Sequence, residues 1–205
     1  MERGPYAKGV AKREEILATA LEVVSERGFG GASVKELAEA VGLTPAGLLH
    51  YFGSKEELFL AVLHKRDEVD AARYAPTSLD AADTAAAWVN LIRHNAQVPG
   101  LVALFSRMAA AADDPSGPAH DYFAARGVEL RARMSEGVAR LQADGRVSDR
   151  VPPETFARML QALSDGLQLQ WLVDPDFDMG SVMEALFDLA SGGDLQLDPD
   201  AVGDR

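Results

Sequence analysis

Apolar residues recur along most of this chain at intervals of three and four positions, which is the spacing of one face of an α-helix. The first such segment contains Ile16, Leu17, Ala20, Leu21 and Val24. Gly28 is placed to end that helix as a C-terminal cap. No segment alternates apolar and polar residues with enrichment in β-branched types, as a half-buried strand would. The pattern therefore predicts an all-α protein.

Two short helices are predicted after the first one. Ser33 and Glu36 have the spacing of a capping box, and Gly42 interrupts the helix that they open. Thr44 is suited to cap the next helix, with Pro45 at its first position. The sequence therefore predicts a pair of short helices joined by a glycine-containing turn.

Longer helices follow, and a second capping box at residues 54–57 opens the first of them. Their predicted ranges are about 54–74, 78–96, from 99 onward, 119–144, 153–173 and 181–190. Pro76 and Thr77 are predicted to form a turn, Gly145 to end one helix and Ser181 to cap the last. Residues 192–205 contain little that could be buried. We therefore expect an N-terminal domain at 1–55, a larger helical domain at 56–191 and a loose tail at 192–205.

The short helices and the helix before them have the layout of a helix-turn-helix unit. The apolar residues expected to form its core are Val34, Leu37, Ala38, Val41, Leu43 and Leu48, with Ile16, Leu21 and Phe29. The residues expected on the outside of the second short helix are Thr44, Pro45, Ala46, Gly47, Leu49 and His50. Such a helix fits the major groove of DNA. A plain helical hairpin is the alternative interpretation.

Composition changes this picture in two ways. The net charge of −12 argues against nucleic acid when it is taken over the whole chain. Residues 1–55, however, contain equal numbers of basic and acidic residues, so the whole excess of negative charge falls after them. The sequence therefore predicts a neutral DNA-binding domain on an acidic helical body.

The chain has no cysteine, which excludes disulfides and cysteine-ligated zinc and fits a reducing compartment. The N-terminus lacks the apolar segment of a signal peptide, and no apolar run is long enough to span a bilayer. We therefore expect a cytoplasmic protein without membrane contact.

Between residues 11 and 63 the sequence resembles the TetR family of bacterial transcriptional regulators. The segment from Ser33 to Thr44 is similar to that family's second helix and turn, and the segment from Leu48 to Leu58 to its recognition helix and following signature. The resemblance implies a homodimeric, ligand-responsive repressor with an all-helical C-terminal domain.

The resemblance also implies roles for individual residues. Those matching Thr44, Tyr51 and Lys55 contact backbone phosphates, and Ser33 and Lys12 or Arg13 are further candidates. The base-reading positions would be Pro45, Ala46, Gly47, Leu49 and His50. Because this helix has no Arg, Lys, Asn or Gln, bidentate contacts to guanine or adenine are absent. We expect specificity to depend on His50, thymine methyl contacts, the arm at 1–13 and DNA shape.

The larger domain is expected to hold a drug-sized hydrophobic effector between its helices. The apolar candidates for this site are Trp88, Leu91, Phe105, Met108, Tyr122, Met134, Leu163, Leu167 and Trp171. The polar candidates are His94, Asp165, Gln168 and Gln170. The alternative is that most of these residues only fill a helical core.

The last two helices are the expected dimer surface, since the matching pair in the family packs with its symmetry mate as a four-helix bundle. The candidate residues are Phe156, Met159, Leu160, Leu163, Val182, Leu186, Phe187 and Leu189. They exceed what one helix pair could hide in a single core.

The function predicted from the sequence is therefore that of a repressor released from a palindromic operator by a small, mostly hydrophobic effector. The conformational change that the effector causes would pass from its site to the DNA-binding domain along the helix at 58–74. A helical ligand-binding or interaction module without DNA binding is the alternative. No hydrolase or phosphate-loop motif is present, and the four histidines are scattered. We therefore expect no enzyme activity, metal or cofactor.

Overall fold

The computed structural model describes residues 5–27, 33–74 and 81–192, and all of these residues lie in helices, turns or short connections. The α-helices in this part of the chain are α1 (Pro5–Arg27), α2 (Val34–Ala40), α3 (Pro45–His50), α4 (Lys55–Tyr74), α5 (Ala81–Asn95), α6 (Pro99–Ala110), α7 (Pro118–Ala143), α8 (Pro153–Trp171) and α9 (Met179–Ala190). No strand occurs among the described residues, so the predicted all-α class is confirmed. None of these helices is both long and apolar enough to cross a bilayer.

The chain divides into two compact units. The first unit contains Met1–Val69 and Val98–Tyr122, and the second contains Asp70–Gln97 and Phe123–Arg205. These ranges differ from the predicted division at residue 55, because α6 and most of α4 belong to the first unit. The division into functional domains at 1–55, 56–191 and 192–205 stays a prediction.

The first unit has a continuous apolar core. Its fully buried side chains include Ile16 and Val24 from α1, Leu37 from α2, Leu48 from α3, and Leu58, Val62 and Leu63 from α4. Truncating such a side chain to alanine costs about 2–5 kcal/mol. Of the predicted helix-turn-helix core, Val34, Val41, Leu43 and Leu21 are only half-buried, and Phe29 lies outside the described residues.

The second unit is built around α9, which packs along α5 and against α8. The Phe187 ring of α9 stacks on Trp88 of α5, with 5.8 Å between ring centroids, and also contacts Phe156 of α8 at 6.4 Å. Met179, Met183, Leu141 and Leu160 are almost fully enclosed. This aromatic contact holds three helices together.

The start of the last helix differs from the prediction. Ser181 was expected to cap it, but Asp178 is its N-cap, so α9 begins three residues earlier than that cap would place it. The Asp178 carboxylate accepts the Gly180 amide at 2.8 Å and the Ser181 hydroxyl at 2.6 Å. The prediction was wrong because two capping residues lie three positions apart, and the upstream one brings Met179 into the core.

Other predicted boundaries lie within a few residues of those observed. Gly145 has a φ of 67° where α7 has ended, as a glycine C-cap requires. Ser54 accepts the Glu57 amide at 3.0 Å, which is one half of the second capping box. The predicted cap at Gly28, the turn at 76–77 and the tail from residue 193 lie outside the described residues.

Candidate nucleic-acid interface

The α2–turn–α3 segment is fixed by hydrogen bonds at each end of its helices. The Ser33 hydroxyl accepts the Glu36 amide at 3.2 Å, and the Ser33 amide donates to Glu36 Oε2 at 2.8 Å. Gly42 has a φ of 68°, and the next amide, that of Leu43, donates back to the Ala38 carbonyl at 2.8 Å. This left-handed glycine turns the chain from α2 toward α3.

Thr44 caps α3, and its hydroxyl accepts the Gly47 amide at 3.1 Å. A Cβ atom at Gly47 would lie 3.2 Å from the same hydroxyl, so any larger residue there crowds the cap. The predicted capping roles of Ser33 and Thr44, and the position of Pro45 as the first residue of α3, are therefore confirmed. The cap therefore gives a structural reason for a glycine at position 47.

The outer face of α3 is open to solvent. Thr44, Pro45, Ala46 and His50 are exposed, whereas Leu48 is fully buried against the rest of the first unit. The remaining predicted base-reading residues, Gly47 and Leu49, are half-buried. This short helix therefore presents a small, weakly polar surface with one imidazole at its C-terminal end.

The predicted phosphate-contacting residues lie at the ends of α3 and α4. Tyr51 is the half-buried C-cap residue of α3, and its ring meets His50 edge-on at 6.2 Å between centroids. Lys55 is the exposed first residue of α4, with its ammonium 5.7 Å from the centre of the Phe59 ring. A lysine at a helix N-terminus adds its charge to the positive end of the helix dipole.

The two basic candidates of α1 are held by neighbours. The Arg13 guanidinium lies 4.8 Å from the centre of the Phe52 ring, and Lys12 Nζ is 2.8 Å from Glu15 Oε1. An interaction with DNA would compete with these contacts. Both residues stay predicted DNA contacts.

Lys35 is an exposed basic residue that the sequence analysis did not select as a DNA contact. Its ammonium lies 3.9 Å from Glu39 Oε1, at the limit of an ion pair, and 76% of its side chain is exposed. The sequence signal was its position two residues after Ser33, which the sequence analysis did select as a candidate phosphate contact.

The first unit also contains a charged contact between α1 and α4. Lys65 Nζ donates to Glu14 at 2.9 Å and to Glu68 at 3.0 Å. The hydrogen bonds to Glu14 and Glu68 raise the pKa of Lys65, and the hydrogen bond from Lys65 lowers the pKa of Glu68. The contact is solvent-exposed, so we expect it to orient α1 against α4 more than to stabilise the fold.

The predicted effector residues fall into both compact units. Phe105, Met108 and Tyr122 belong to the first unit, where the Arg66 guanidinium lies 5.8 Å from the Phe105 ring centre and Tyr122 donates to Asp67 at 2.9 Å. The other predicted effector residues belong to the second unit: they are Trp88, Leu91, His94, Met134, Leu163, Asp165, Leu167, Gln168, Gln170 and Trp171. Met134, Leu167, Gln168 and Trp171 are buried.

Two of these polar candidates carry buried atoms without hydrogen-bond partners among the described residues. They are His94 Nδ1 and Gln168 Oε1. His94 Nε2 is 3.9 Å from Asp70 Oδ1 and its ring is 5.2 Å from that of Tyr74, while Gln168 Nε2 donates to the Ser164 carbonyl at 3.2 Å. A cavity of about 320 Å³ in the second unit is lined by other residues, and none of the predicted effector residues reaches it.

The predicted dimer residues also separate by burial. Phe156, Leu160 and Phe187 are buried within the single chain, so they pack the second unit. Met159 is 46% exposed, and Leu163, Val182 and Leu186 are half-buried. Leu189 is 49% exposed, and sequence reasoning did not single out the exposed Leu169 and Val173 of the same unit. The predicted dimer residues that are exposed in the single chain are therefore Met159 of α8 and Leu189 of α9.

No group of three or more potential metal-ligating carboxylate or imidazole side chains occurs in the part of the chain that the structure describes. The site is instead a capped short helix with an exposed outer face, set on a helical core. Together with the glycine turn before it, this defines a helix-turn-helix protein of the all-α class.

Comparison with known proteins identifies the family. Residues 16–62 match the model of bacterial regulatory proteins of the tetR family, and residues 101–189 match the C-terminal model of BetI-type transcriptional repressors. The chain is 30% identical over 161 residues to the HTH-type transcriptional repressor AcnR of Corynebacterium diphtheriae, covering 76% of this chain and 78% of that protein. The chain belongs to the TetR family.

Two further matches define how far the similarity extends. The AcnR repressor of Corynebacterium efficiens is 44% identical over 70 residues, which is 34% of this chain, and the chain spans only 35% of that relative. The transcriptional regulator FadR from Bacillus subtilis in complex with stearoyl-CoA superposes with a TM-score of 0.64 at 13% identity, over 88% of this chain and 98% of that structure. The latter similarity is one of fold.

Proposed function

We propose that this protein is a sequence-specific transcriptional repressor that binds a palindromic operator as a homodimer and releases it when a small effector binds. The observation that carries the proposal is the exposed outer face of α3. Thr44 caps the N-terminus of this helix, Tyr51 is its C-cap residue, and the buried Leu48 holds it in place. A bacterial regulator of this kind acts in the cytoplasm, and its DNA contacts come from residues 1–55.

Phosphate contacts fix the position of the protein on the duplex. We assign them to Thr44, Tyr51 and Lys55, with Ser33 and Lys35 at the start of α2. Lys55 and Lys35 are the strongest candidates because both are exposed lysines close to helix N-termini. Lys12 and Arg13 would first have to leave Glu15 and the Phe52 ring.

Base recognition is assigned to the outer face of α3. His50 is the one exposed side chain of that helix with ring nitrogens that can donate or accept. Pro45 and Ala46 offer apolar contacts suited to the thymine methyl group. The remaining specificity then comes from DNA shape and from the arm at residues 1–13.

Dimerisation is assigned to the outward faces of α8 and α9. Met159, Leu163 and Leu169 of α8 and Leu189 of α9 leave apolar area open to water in the single chain. Covering exposed apolar area in an interface is favourable at about 25 cal/mol per Å². A two-fold dimer would present two copies of α3 to half-sites about 34–36 Å apart.

Effector control is assigned to residues 56–191. The C-terminal match to BetI-type repressors and the FadR complex with stearoyl-CoA support a ligand-responsive regulator. An effector that binds better to the conformation with weak operator affinity shifts the population toward it. The expected coupling is about 1–3 kcal/mol, or roughly 5–150-fold in operator affinity.

The experiment that tests this function is a gel shift with the DNA upstream of the gene that encodes the chain. We expect a discrete complex that resists excess unrelated duplex. The matched control is a variant in which Ala46 and His50 of α3 are both replaced by glutamate, because both positions are exposed and the fold should survive. Equal retardation of operator and unrelated DNA by both proteins would refute the proposal.

A further inference from the structure

The cavity of about 320 Å³ in the second unit lies between α5, the C-terminal end of α7 and α9. One wall is apolar and is formed by Val89, Leu141, Val147 and Phe187 with two alanines of α5. The volume is at the lower end of the range of small-molecule sites, about 300–1,000 Å³. A ligand of amino-acid size would therefore fill it.

The other wall is charged but balanced. It contains Arg93 and Arg146, and opposite to them in sign Glu184 and Asp188. Arg93 Nη2 lies 2.7 Å from Glu184 Oε2, so these two charges neutralise each other. Within the described residues, Arg146 and Asp188 form no ion pair with the protein. One positive and one negative group are therefore open to a ligand.

The segment that carries Arg146 and Val147 is held in place by hydrogen bonds. The Arg146 amide donates to the Leu141 carbonyl at 2.8 Å, and the Ser148 amide donates to the Ala190 carbonyl at the end of α9 at 2.7 Å. The Gln142 side-chain amide bonds the Ser148 carbonyl at 3.0 Å and the Val151 carbonyl at 2.7 Å. The wall is thus formed before any ligand arrives, which lowers the entropic cost of binding.

The Arg93–Glu184 pair is positioned by Gly180 of α9. A Cβ atom at that position would lie 2.5 Å from Arg93 Cγ and 2.7 Å from Arg93 Nε. The absence of a side chain lets Arg93 pass over the start of α9 and reach Glu184. This packing holds Arg93 to its own partner and leaves Arg146 as the guanidinium that a ligand can pair with.

We propose that this cavity binds a small zwitterion with an apolar side chain, of the class of the apolar α-amino acids. The ligand carboxylate pairs with Arg146, its ammonium pairs with Asp188, and its side chain packs on Phe187 and Val89. A simple anion would face Asp188 without compensation, and a simple cation would face Arg146 in the same way. The proposal rests on the proposed function, since it locates the effector of that regulator, but binding to the cavity can be measured without DNA.

The direct test is calorimetric titration of the full chain with three probes that share one ring: L-phenylalanine, 3-phenylpropionate and 2-phenylethylamine. We expect L-phenylalanine to bind about tenfold or more tightly than either analogue, because each analogue leaves one charge without a partner. Equal binding of the three probes would overturn the proposal. So would the absence of binding by L-phenylalanine, L-leucine and L-valine at millimolar concentrations.

Variants assign the binding to this cavity. Val89→Trp fills the apolar wall and should abolish binding, while Arg146→Ala should remove the preference of L-phenylalanine over 2-phenylethylamine. Ala139→Trp, at an exposed position of α7, is the matched control and should bind as the parent does. If Val89→Trp fails to fold by circular dichroism, the exposed Arg146→Ala substitution carries the test. Unchanged selectivity in Arg146→Ala would contradict the assignment.

An operator titration separates this inference from the proposed function. With saturating L-phenylalanine, operator affinity of the parent should fall by roughly 5–150-fold, and that of Val89→Trp should not change. Binding of the amino acid without any effect on operator affinity would overturn the role of this cavity as the effector site. Loss of specific DNA binding with amino-acid binding intact would instead refute the proposed function.

Discussion

In the proposed function, base recognition by α3 is expected to depend most on His50. It is exposed at the C-terminal end of that helix, and the other outward side chains there are apolar or small. Replacing it removes the ring nitrogens but leaves the buried Leu48 anchor intact. We therefore expect His50→Ala to lose about 1–3 kcal/mol of discrimination at one base pair of each half-site.

The measurement is enrichment of operator sequences from a randomised duplex library. His64→Ala is the matched control, because His64 is an exposed histidine of the same unit that lies on α4 and pairs with Glu68 at 3.2 Å. The control should keep the base preference of the parent. An identical preference in the parent and in His50→Ala would remove His50 from the recognition surface.

Lys55 should act differently, since it is assigned to a phosphate. Lys55→Ala is expected to weaken binding about equally on all sequences and to reduce the slope of log affinity against log salt by about 1. Lys65→Ala is the comparison, because that ammonium is engaged by Glu14 and Glu68. A salt slope that stays the same in Lys55→Ala would contradict the phosphate contact.

At this scale the sequence predicted local geometry well and long-range contacts poorly. The caps at Ser33 and Thr44 depend on residues three positions apart, so the pattern alone could identify them. The contact of Arg13 with Phe52 joins α1 to the turn after α3, and no local pattern indicates it. The sequence therefore indicated only a candidate phosphate contact at Arg13, and not its contact with Phe52.

Among the elements, α9 shows how packing selects one of two possible starts. Asp178 and Ser181 are both good N-cap residues, and the local sequence does not rank them. Starting at Met179 encloses that side chain almost completely and places Gly180 under Arg93. The burial of Met179 depends on tertiary packing, and Arg93 lies far from α9 in sequence. The local pattern could not show either, which is why the prediction chose the wrong cap.

The Asp178 cap has a pH dependence of known sign. The hydrogen bond from the Ser181 hydroxyl, aided by the Gly180 amide, lowers the pKa of the Asp178 carboxyl. Because folding lowers this pKa, the cap contributes stability above the ordinary aspartate pKa of about 3.9 and loses it as pH falls through the lowered pKa. Asp178→Ala should cost about 1 kcal/mol at neutral pH.

Denaturant unfolding at neutral and acid pH tests this cap, with Asp178→Asn as the control. Asparagine caps a helix about as well as aspartate but does not titrate. The advantage of the parent over Asp178→Ala should shrink in acid, while that of Asp178→Asn should persist. Equal stability of all three proteins at neutral pH would show that the cap contributes nothing.

The outward face of α8 carries the proposed dimer contact, and Gly166 is its smallest residue. A Cβ atom at Gly166 meets nothing within 4 Å in the single chain, so a long side chain fits the monomer and also improves helix propensity. We expect Gly166→Arg to give a folded monomer, because a charge in an apolar interface has no partner.

Sedimentation equilibrium measures this effect, and Ala139→Arg, on the exposed surface of α7, is the matched control. The control should remain dimeric. A Gly166→Arg protein that associates as strongly as the parent would place the dimer contact elsewhere.

At the scale of the whole molecule, charge distribution explains how an acidic protein can bind DNA. The net charge of −12 falls entirely outside residues 1–55, so the proposed DNA-binding segment is neutral while the remainder is repelled by phosphates. We expect this repulsion to suppress binding to unrelated duplex. The sequence could predict this distribution of charge because charge is additive along the chain.

The positions of cavities could not be predicted in the same way. The residues chosen from the sequence for the effector site were aromatic and apolar, and several of them are core residues of one unit or the other. The cavity of about 320 Å³ in the second unit is bounded by α5, α9, the C-terminal end of α7 and the segment after it, which only tertiary packing brings together. Hydrophobic periodicity gives the inward face of a helix but not where neighbouring helices fail to touch.

The central claim is specific recognition of DNA by the outer face of α3. Its most direct test is a fluorescence anisotropy titration of the parent protein with a palindromic duplex enriched from a random library and with a scrambled duplex of equal composition. The account predicts that the palindrome binds about 10³-fold or more tightly at physiological salt, with a stoichiometry of one dimer per duplex. Equal affinity for the two duplexes would contradict it.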